Sequence, residues 1–396
     1  MTRLICSLPI KQPAYLSSPF IECIMRRHAP EKDIRVVDCR PLEIDNSASI
    51  LAVLTAGSSN KVIGHFGLAV DYESAGQRQT RHMVMKIKPH GGEIVAMLEG
   101  LAQACGGQLA AVYPAYRNLT GFQHTHEREL DVYGKLASNL FPQIFGLHAD
   151  HRHGTYLILM EYLEGVDLLN SVMTPECWSD GHIRLALSQM AAWHAQHLNK
   201  ELPIDPAYWD DAPSTAYMVK LTPLWAALLE NAAEKFPDLY HPGRVQWLRE
   251  AIGSIPDYWQ ELERMSKTLV HNDLNPRNTC FRTVGNASAF CVYDWELATY
   301  HVPQYDVVEL LCFVLDTDRY PLRPDYLEHY RKALHELTGL YTDEKAFRRG
   351  FDLAALDFGL HRLGMYMMAH AVSPYPFLPR VVNSYFDTIE PHRRTG

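Results

Sequence analysis

The sequence predicts an α+β chain in two parts: an N-terminal lobe built on an antiparallel sheet with helices, and a larger, mainly helical C-terminal lobe. Three observations lead there. Before residue 165 lie about five short apolar runs of strand length, several separated by Gly, Ser or Asn. After residue 165, apolar residues recur three and four positions apart almost throughout, the period of a helix. The chain has 396 residues, 47% of them hydrophobic, ample for two cores. The change of period sets the expected boundary: residues 1–163 form the first lobe, with a helical insertion at about 90–123, and residues 164–396 the second.

Composition narrows the function classes. A net charge of −9 argues against a nucleic-acid-binding surface. The eight Cys are scattered and form no Cys-x-x-Cys pair or zinc spacing, as expected of buried thiols in a reducing cytosol. No basic segment followed by an apolar run opens the sequence, and no uncharged apolar stretch of about 18 residues occurs. A cytoplasmic protein without membrane partners is the expectation. The oligomeric state is not legible.

In order, Tyr15, Leu16, Phe20, Ile21, Ile24 and Met25 fall at helical spacing. Residues 34–44 are extended. Ile50–Leu54 and 62–72 are strands flanking Gly57-Ser58-Ser59-Asn60, a turn whose backbone N–H groups could line phosphates. Residues 73–81 are turn-like, and 82–89 is a third strand with Lys86 and Lys88 on one face. Lys88 reads as a surface residue of an edge strand. Residues 91–107 are helical, 108–123 a connector, and 126–136 a helix carrying Glu129. Residues 141–147 and 156–160 are strands, the second running into Glu161-Tyr162-Leu163-Glu164-Gly165. Helices follow at 183–198, 216–236 and 242–266, around a Pro- and Asp-rich loop at 201–216.

The chemistry concentrates in His271-Asn272-Asp273-Leu274-Asn275-Pro276-Arg277-Asn278 and in Tyr293-Asp294-Trp295-Glu296. An Asp in a loop, an Asn five residues on and a second Asp at a strand end are the parts phosphoryl transfer needs. One carboxylate orients and deprotonates an attacking hydroxyl, and the other two residues hold Mg²⁺ on the phosphates. This spacing is the kinase-type catalytic loop and metal Asp. Only eleven residues separate Asp294 from Asp306, too few for a protein-kinase activation segment. Asp306 reads as a cap at a helix N-terminus. Asp357-Phe358-Gly359 spells the protein-kinase metal motif, but it lies within a helical run and reads as core.

His-Asn-Asp and Asp-Trp-Glu, with the loop spacing, resemble the aminoglycoside phosphotransferase and choline kinase superfamily, small-molecule kinases of protein-kinase-like fold. The resemblance spans about residues 50–310. It implies ATP and Mg²⁺ as cofactors and a hydroxyl of a small molecule as acceptor. Asp273 would be the catalytic carboxylate, and Asn278 and Asp294 the metal ligands. Gly57, Ser58, Ser59 and Asn60 would cover the phosphates. Lys86 would grip them, fixed by Glu129, with Glu93 as the rival partner. Glu161, Tyr162 and Leu163 would meet the adenine. Trp209, Asp210, Asp211, Tyr366 and His370 are candidates for the acceptor wall. A base of ordinary Asp pKa predicts activity nearly flat from about pH 6.5 to 8.5. A nucleotide-binding module without turnover and a metal-dependent phosphohydrolase are the alternatives.

Overall fold

The computed structural model describes residues 14–44 and 63–390. The chain falls into two compact units. One comprises the described residues up to 89 together with 142–164; the other comprises 90–141 and the described residues from 165 onward.

The first unit is a five-stranded antiparallel sheet in the order β1-β2-β3-β5-β4, with β1 Ile34–Leu42, β2 Gly64–Ser74, β3 Gln77–Lys88, β4 Ile144–Asp150 and β5 Thr155–Glu161. The helix Ser18–His28 packs across β1 and β4. It places Ile21, Ile24 and Met25 against Val70, Met83, Met85 and Leu159. Side chains alternate along a strand. Since Met83, Met85 and Ile87 face that core, Lys86 and Lys88 lie on the opposite face, with Ile158 and Tyr156 opposite them on β5.

Two expectations are corrected here. The β2–β3 connection is not a nine-residue turn. It closes tightly at Ala75 and Gly76, both with left-handed φ, 51° and 74°, so β3 begins at Gln77. Such a pair matches the twist of a two-residue hairpin turn, and the polar run Gln77–Arg81 is exposed strand rather than loop. Nor is Lys88 on an edge. β3 lies between β2 and β5, and both Lys88 and Lys86 are buried. The expected strand Ile50–Leu54 and the Gly57–Asn60 turn lie outside the described residues.

The second unit is mainly helical. The stretch expected at 108–123 as a connector contains a short helix, Gly107–Val112, and two 3₁₀ turns. Residues 242–266 form two helices, Pro242–Gly253 and Ile255–Arg264, divided before Pro256, where the ring suits a helix start. Within this unit β6 Thr268–Val270 pairs with β9 Thr299–His301, and β7 Thr279–Val284 with β8 Ala287–Val292. The helix Gln304–Val314 is buried on every side, as a helix apolar nearly all round must be. No described helix is long and apolar enough to cross a membrane.

Candidate functional site

The loop between β6 and β7 carries Asp273. Its backbone is held from both sides. Asp306 accepts the N–H groups of His271 (2.8 Å) and Asn272 (3.0 Å), and Glu309 accepts that of Leu274 (3.1 Å). The N–H of Asp273 goes to His271 Nδ1 (3.2 Å), while the same ring donates from Nε2 to the Tyr293 carbonyl (2.9 Å). Four successive N–H groups of a buried loop are thus paired, which such a loop requires. Asn272 has a left-handed φ of 61°, a conformation Asn tolerates, and its amide bonds the Leu297 carbonyl.

No side chain caps the helix Gln304–Val314, whose N-cap residue is Pro303, so the expected cap role of Asp306 is corrected. Asp306 sits in the first turn of that helix, but its carboxylate serves the Asp273 loop and His194 Nε2 (3.0 Å). Burial alone would raise its pKa. The bonds from His194 and the His271 backbone outweigh burial, and the pKa lies below the ordinary Asp range. His194 is buried between Asp306 and Tyr330, a packed core histidine as its helical setting suggests.

The two Asp273 oxygens are unequal. Oδ1 receives Arg362 Nη2 (2.8 Å), Asn275 Nδ2 (3.1 Å) and a short hydrogen bond from the Tyr366 hydroxyl, with Arg277 3.7 Å away. Oδ2 receives Asn278 Nδ2 at 2.7 Å. Three donors fill Oδ1, and Oδ2 keeps acceptor capacity. Burial would raise the Asp273 pKa, but the charges of Arg362 and Arg277 and the Tyr366 bond hold it below the usual range. Arg277 lies over the rings of Tyr366 and Phe377, and Arg362 over those of Phe122 and Tyr366.

Asn278 precedes β7 and Asp294 follows β8 by one residue, so both stand just beyond the Thr279–Val292 end of that ladder. The Asn278 amide nitrogen faces Asp273, which turns its amide oxygen away. Asp294 has a left-handed φ of 66°, a conformation that Asp, like Asn, tolerates. Its carboxylate gathers with those of Glu296 and Glu129, one oxygen from each lying within 4.8 Å of the others. Like charges so placed favour a cation among them.

Of the other expected residues, Glu129 is fully buried. Glu93 closes a capping box, its carboxylate accepting the His90 N–H at 2.8 Å. In the sheet unit, Glu161 and Tyr162 donate their N–H groups to the Gln143 (2.8 Å) and His82 (3.1 Å) carbonyls, and Leu163 follows directly. Of the expected acceptor wall, Trp209 and Asp211 are buried and engaged elsewhere. Trp209 bonds the Ala298 carbonyl, and Asp211 pairs with Arg128. Asp210 is exposed beside His124, and His370 accepts the Tyr375 N–H. Only Tyr366 reaches Asp273.

A sequence profile of the phosphotransferase enzyme family matches residues 81–349, about two thirds of the chain. The chain belongs to that family. The match runs from within β3 into the helix Glu344–Leu360 and so includes the Asp273 loop and Asp294. Among solved structures, this phosphotransferase is similar to an ethanolamine kinase of Plasmodium vivax, at 12% identity and TM-score 0.44, covering 88% of this chain and 80% of that one. It is similar to an aminoglycoside phosphotransferase in a ternary complex with ADP and hygromycin B, at 13% identity and TM-score 0.35, covering 86% and 95%. It is also similar to a microcompartment-associated aminopropanol kinase, at 12% identity and TM-score 0.37, covering 87% and 90%. No curated protein sequence matches significantly.

Sequence reasoning missed Arg362 and Glu309 in this phosphotransferase. A signal existed for each. Arg362 and Tyr366 are four apart on a helix otherwise almost wholly apolar, and a buried Arg needs a carboxylate. Glu309 lies three after Asp306, on the same helical face.

Proposed function

We propose that this phosphotransferase is an ATP- and Mg²⁺-dependent kinase that phosphorylates a hydroxyl of a small molecule. The observation that carries the reading is the unequal Asp273 carboxylate. Oδ1 is anchored by Arg362, Asn275 and Tyr366, which leaves Oδ2 for an incoming hydroxyl. With its pKa held low, Asp273 is a weak base. Its work is to orient the hydroxyl and take the proton as the O–P bond forms.

The donor set fits a hard divalent cation. Asp294, Glu296 and the Asn278 amide offer oxygen only, the ligands Mg²⁺ prefers. Bound there, Mg²⁺ would offset charge on the phosphates. Lys86, buried on the central strand, is the residue assigned to grip the phosphates, and Gly57–Asn60 the turn assigned to cover them. The Glu161 and Tyr162 N–H groups serve the sheet, so the Leu163 N–H is the donor for an adenine edge.

The acceptor class is an aminoglycoside-like antibiotic, an amino alcohol or a biosynthetic intermediate. The test is to incubate the protein with Mg²⁺, ATP and a metabolite pool, following ADP and any compound heavier by one phosphate. A phosphorylated alcohol is the expected product. Inorganic phosphate without such a product would make the protein a hydrolase. Nucleotide binding without ADP would make it a binding module.

A further inference from the structure

We propose that Glu309 is a positioning residue that works as a neutral carboxylic acid, donating its proton to Tyr366 and so reserving the Tyr366 hydrogen for Asp273. Its consequence for turnover rests on the kinase reading; its protonation does not.

The hydrogens around one oxygen decide the state of Glu309. The Tyr366 hydroxyl has a single hydrogen, and it is directed at Asp273 Oδ1. Arg277 Nη2 (3.0 Å), Arg362 Nη2 (3.3 Å) and Asn275 Nδ2 (3.4 Å) approach the phenol oxygen as donors. Arg362 and Asn275 lie closer to Asp273 Oδ1 (2.8 and 3.1 Å), which leaves Arg277 as the main donor and one lone pair open. Glu309 Oε1 lies 3.4 Å from that oxygen. If Glu309 were ionised, Oε1 would face an oxygen with no hydrogen left to give. Two acceptors would then oppose each other in a buried contact, which is unfavourable. A hydrogen on Oε1 turns the contact into a donation. Oε2 cannot carry that hydrogen toward Tyr366, because it already accepts the Leu274 N–H.

The surroundings agree. Glu309 is fully buried. The charged and titratable groups around it are Asp273, Arg362, Asp306 and Arg277, with Tyr305 and Cys312 on its own helix and Tyr366. Burial first, and the Asp273 charge second, push its carboxyl up to about 8, against the lowering by Arg362 and Arg277. Below that pH the acid form persists. Above it, a second carboxylate competes with Asp273 for the Tyr366 hydrogen, and the anchor on Oδ1 loosens. An alkaline limb therefore replaces the flat profile an isolated Asp would give.

Two measurements test this. In protein labelled with carbon-13 at the Glu side-chain carboxyl, one resonance should titrate near pH 8, far above the others, and be missing from Glu309→Gln. If every Glu carboxyl titrates in the ordinary range near 4.3, the proposal is overturned. This reading needs no substrate, so a failure to detect phosphoryl transfer would count against the kinase function and leave the titration standing. In turnover with Mg·ATP and an accepted alcohol, the wild-type rate should fall about tenfold from pH 7 to pH 9, as one proton is lost. Glu309→Gln keeps a neutral donor and an acceptor for Leu274. It should hold its pH 7 rate within about twofold of wild type and show no fall. A uniform loss at every pH, with the alkaline limb intact, would assign Glu309 a structural role only and overturn the proposal.

Discussion

At the scale of single residues, the site divides by distance along the chain. Asp273, Asn278 and Asp294 were legible because their spacing is local and their residue types answer to one chemistry. Arg362 and Glu309 were not, because they reach Asp273 and Leu274 from 89 and 35 positions away. Only the packing of helices Gln304–Val314 and Arg362–Val372 brings them to the loop. The role of Tyr366 makes a prediction at this scale. Tyr366→Phe deletes one donor to Oδ1 while Arg362 and Asn275 remain. A hydrogen bond to a charged group contributes about 1.5–3 kcal/mol. Turnover should fall roughly ten- to a hundredfold, with ATP affinity unchanged, as steady-state kinetics and nucleotide titration would report. Asp294→Ala should behave differently, abolishing transfer and weakening Mg·ATP binding while the fold survives. Near-normal turnover of that variant at modest Mg²⁺ would remove Asp294 from the metal site.

At the scale of elements, sheet and helix were readable from their periods, and two details were not. β3 began earlier than expected because its first residues are polar and exposed, so they carry no apolar alternation. Lys88 was misplaced because burial of a central strand's second face cannot be seen in one strand's letters. Both lysines are buried on that face, so Lys86→Ala and Lys88→Ala are a fair comparison. Lys86→Ala should lose far more activity; the reverse ranking would shift the phosphate-gripping role by two residues. The Asp357-Phe358-Gly359 lettering also resolves at this scale. It lies in the helix Glu344–Leu360, where Asp357 accepts the Trp259 indole N–H at 3.0 Å. A Cβ on Gly359 would collide with the Tyr385 hydroxyl. Gly359→Ala should therefore cost about 1–3 kcal/mol of stability by overpacking and leave nucleotide affinity of the folded fraction unchanged. Melting and nucleotide titration would check both.

At the scale of the whole molecule, the sequence disclosed an α+β chain, but not the company of residues 90–141, which group with the helical unit. Their helices are amphipathic, and the letters do not say which core receives them. The helical unit also encloses histidines that stay neutral. Burial, outweighing the pull of Asp357, pushes His361 down to about 4, and burial pushes His197 down to about 4. In the unfolded chain such groups titrate near 6.5. Between those values the unfolded state binds more protons, so stability falls as pH drops from about 6.5 to 4. For His361 alone the loss is of order 3 kcal/mol, from a depression of about 2.5 units. Thermal melts across that range should show a steady decline, and His361→Gln should make it shallower, with the His197 contribution remaining. A melting temperature level down to pH 4 would contradict the buried neutral state.

The most direct test of the central claim is Asp273→Asn, assayed for ATP affinity and for phosphoryl transfer in one preparation. The amide removes the base and the charge while nearly keeping the shape. If Asp273 only orients and deprotonates the acceptor, ATP affinity should stay within a few-fold and kcat should fall about 10²–10⁴-fold. Transfer at close to the wild-type rate would contradict the account, because no other group has been assigned the work of Oδ2.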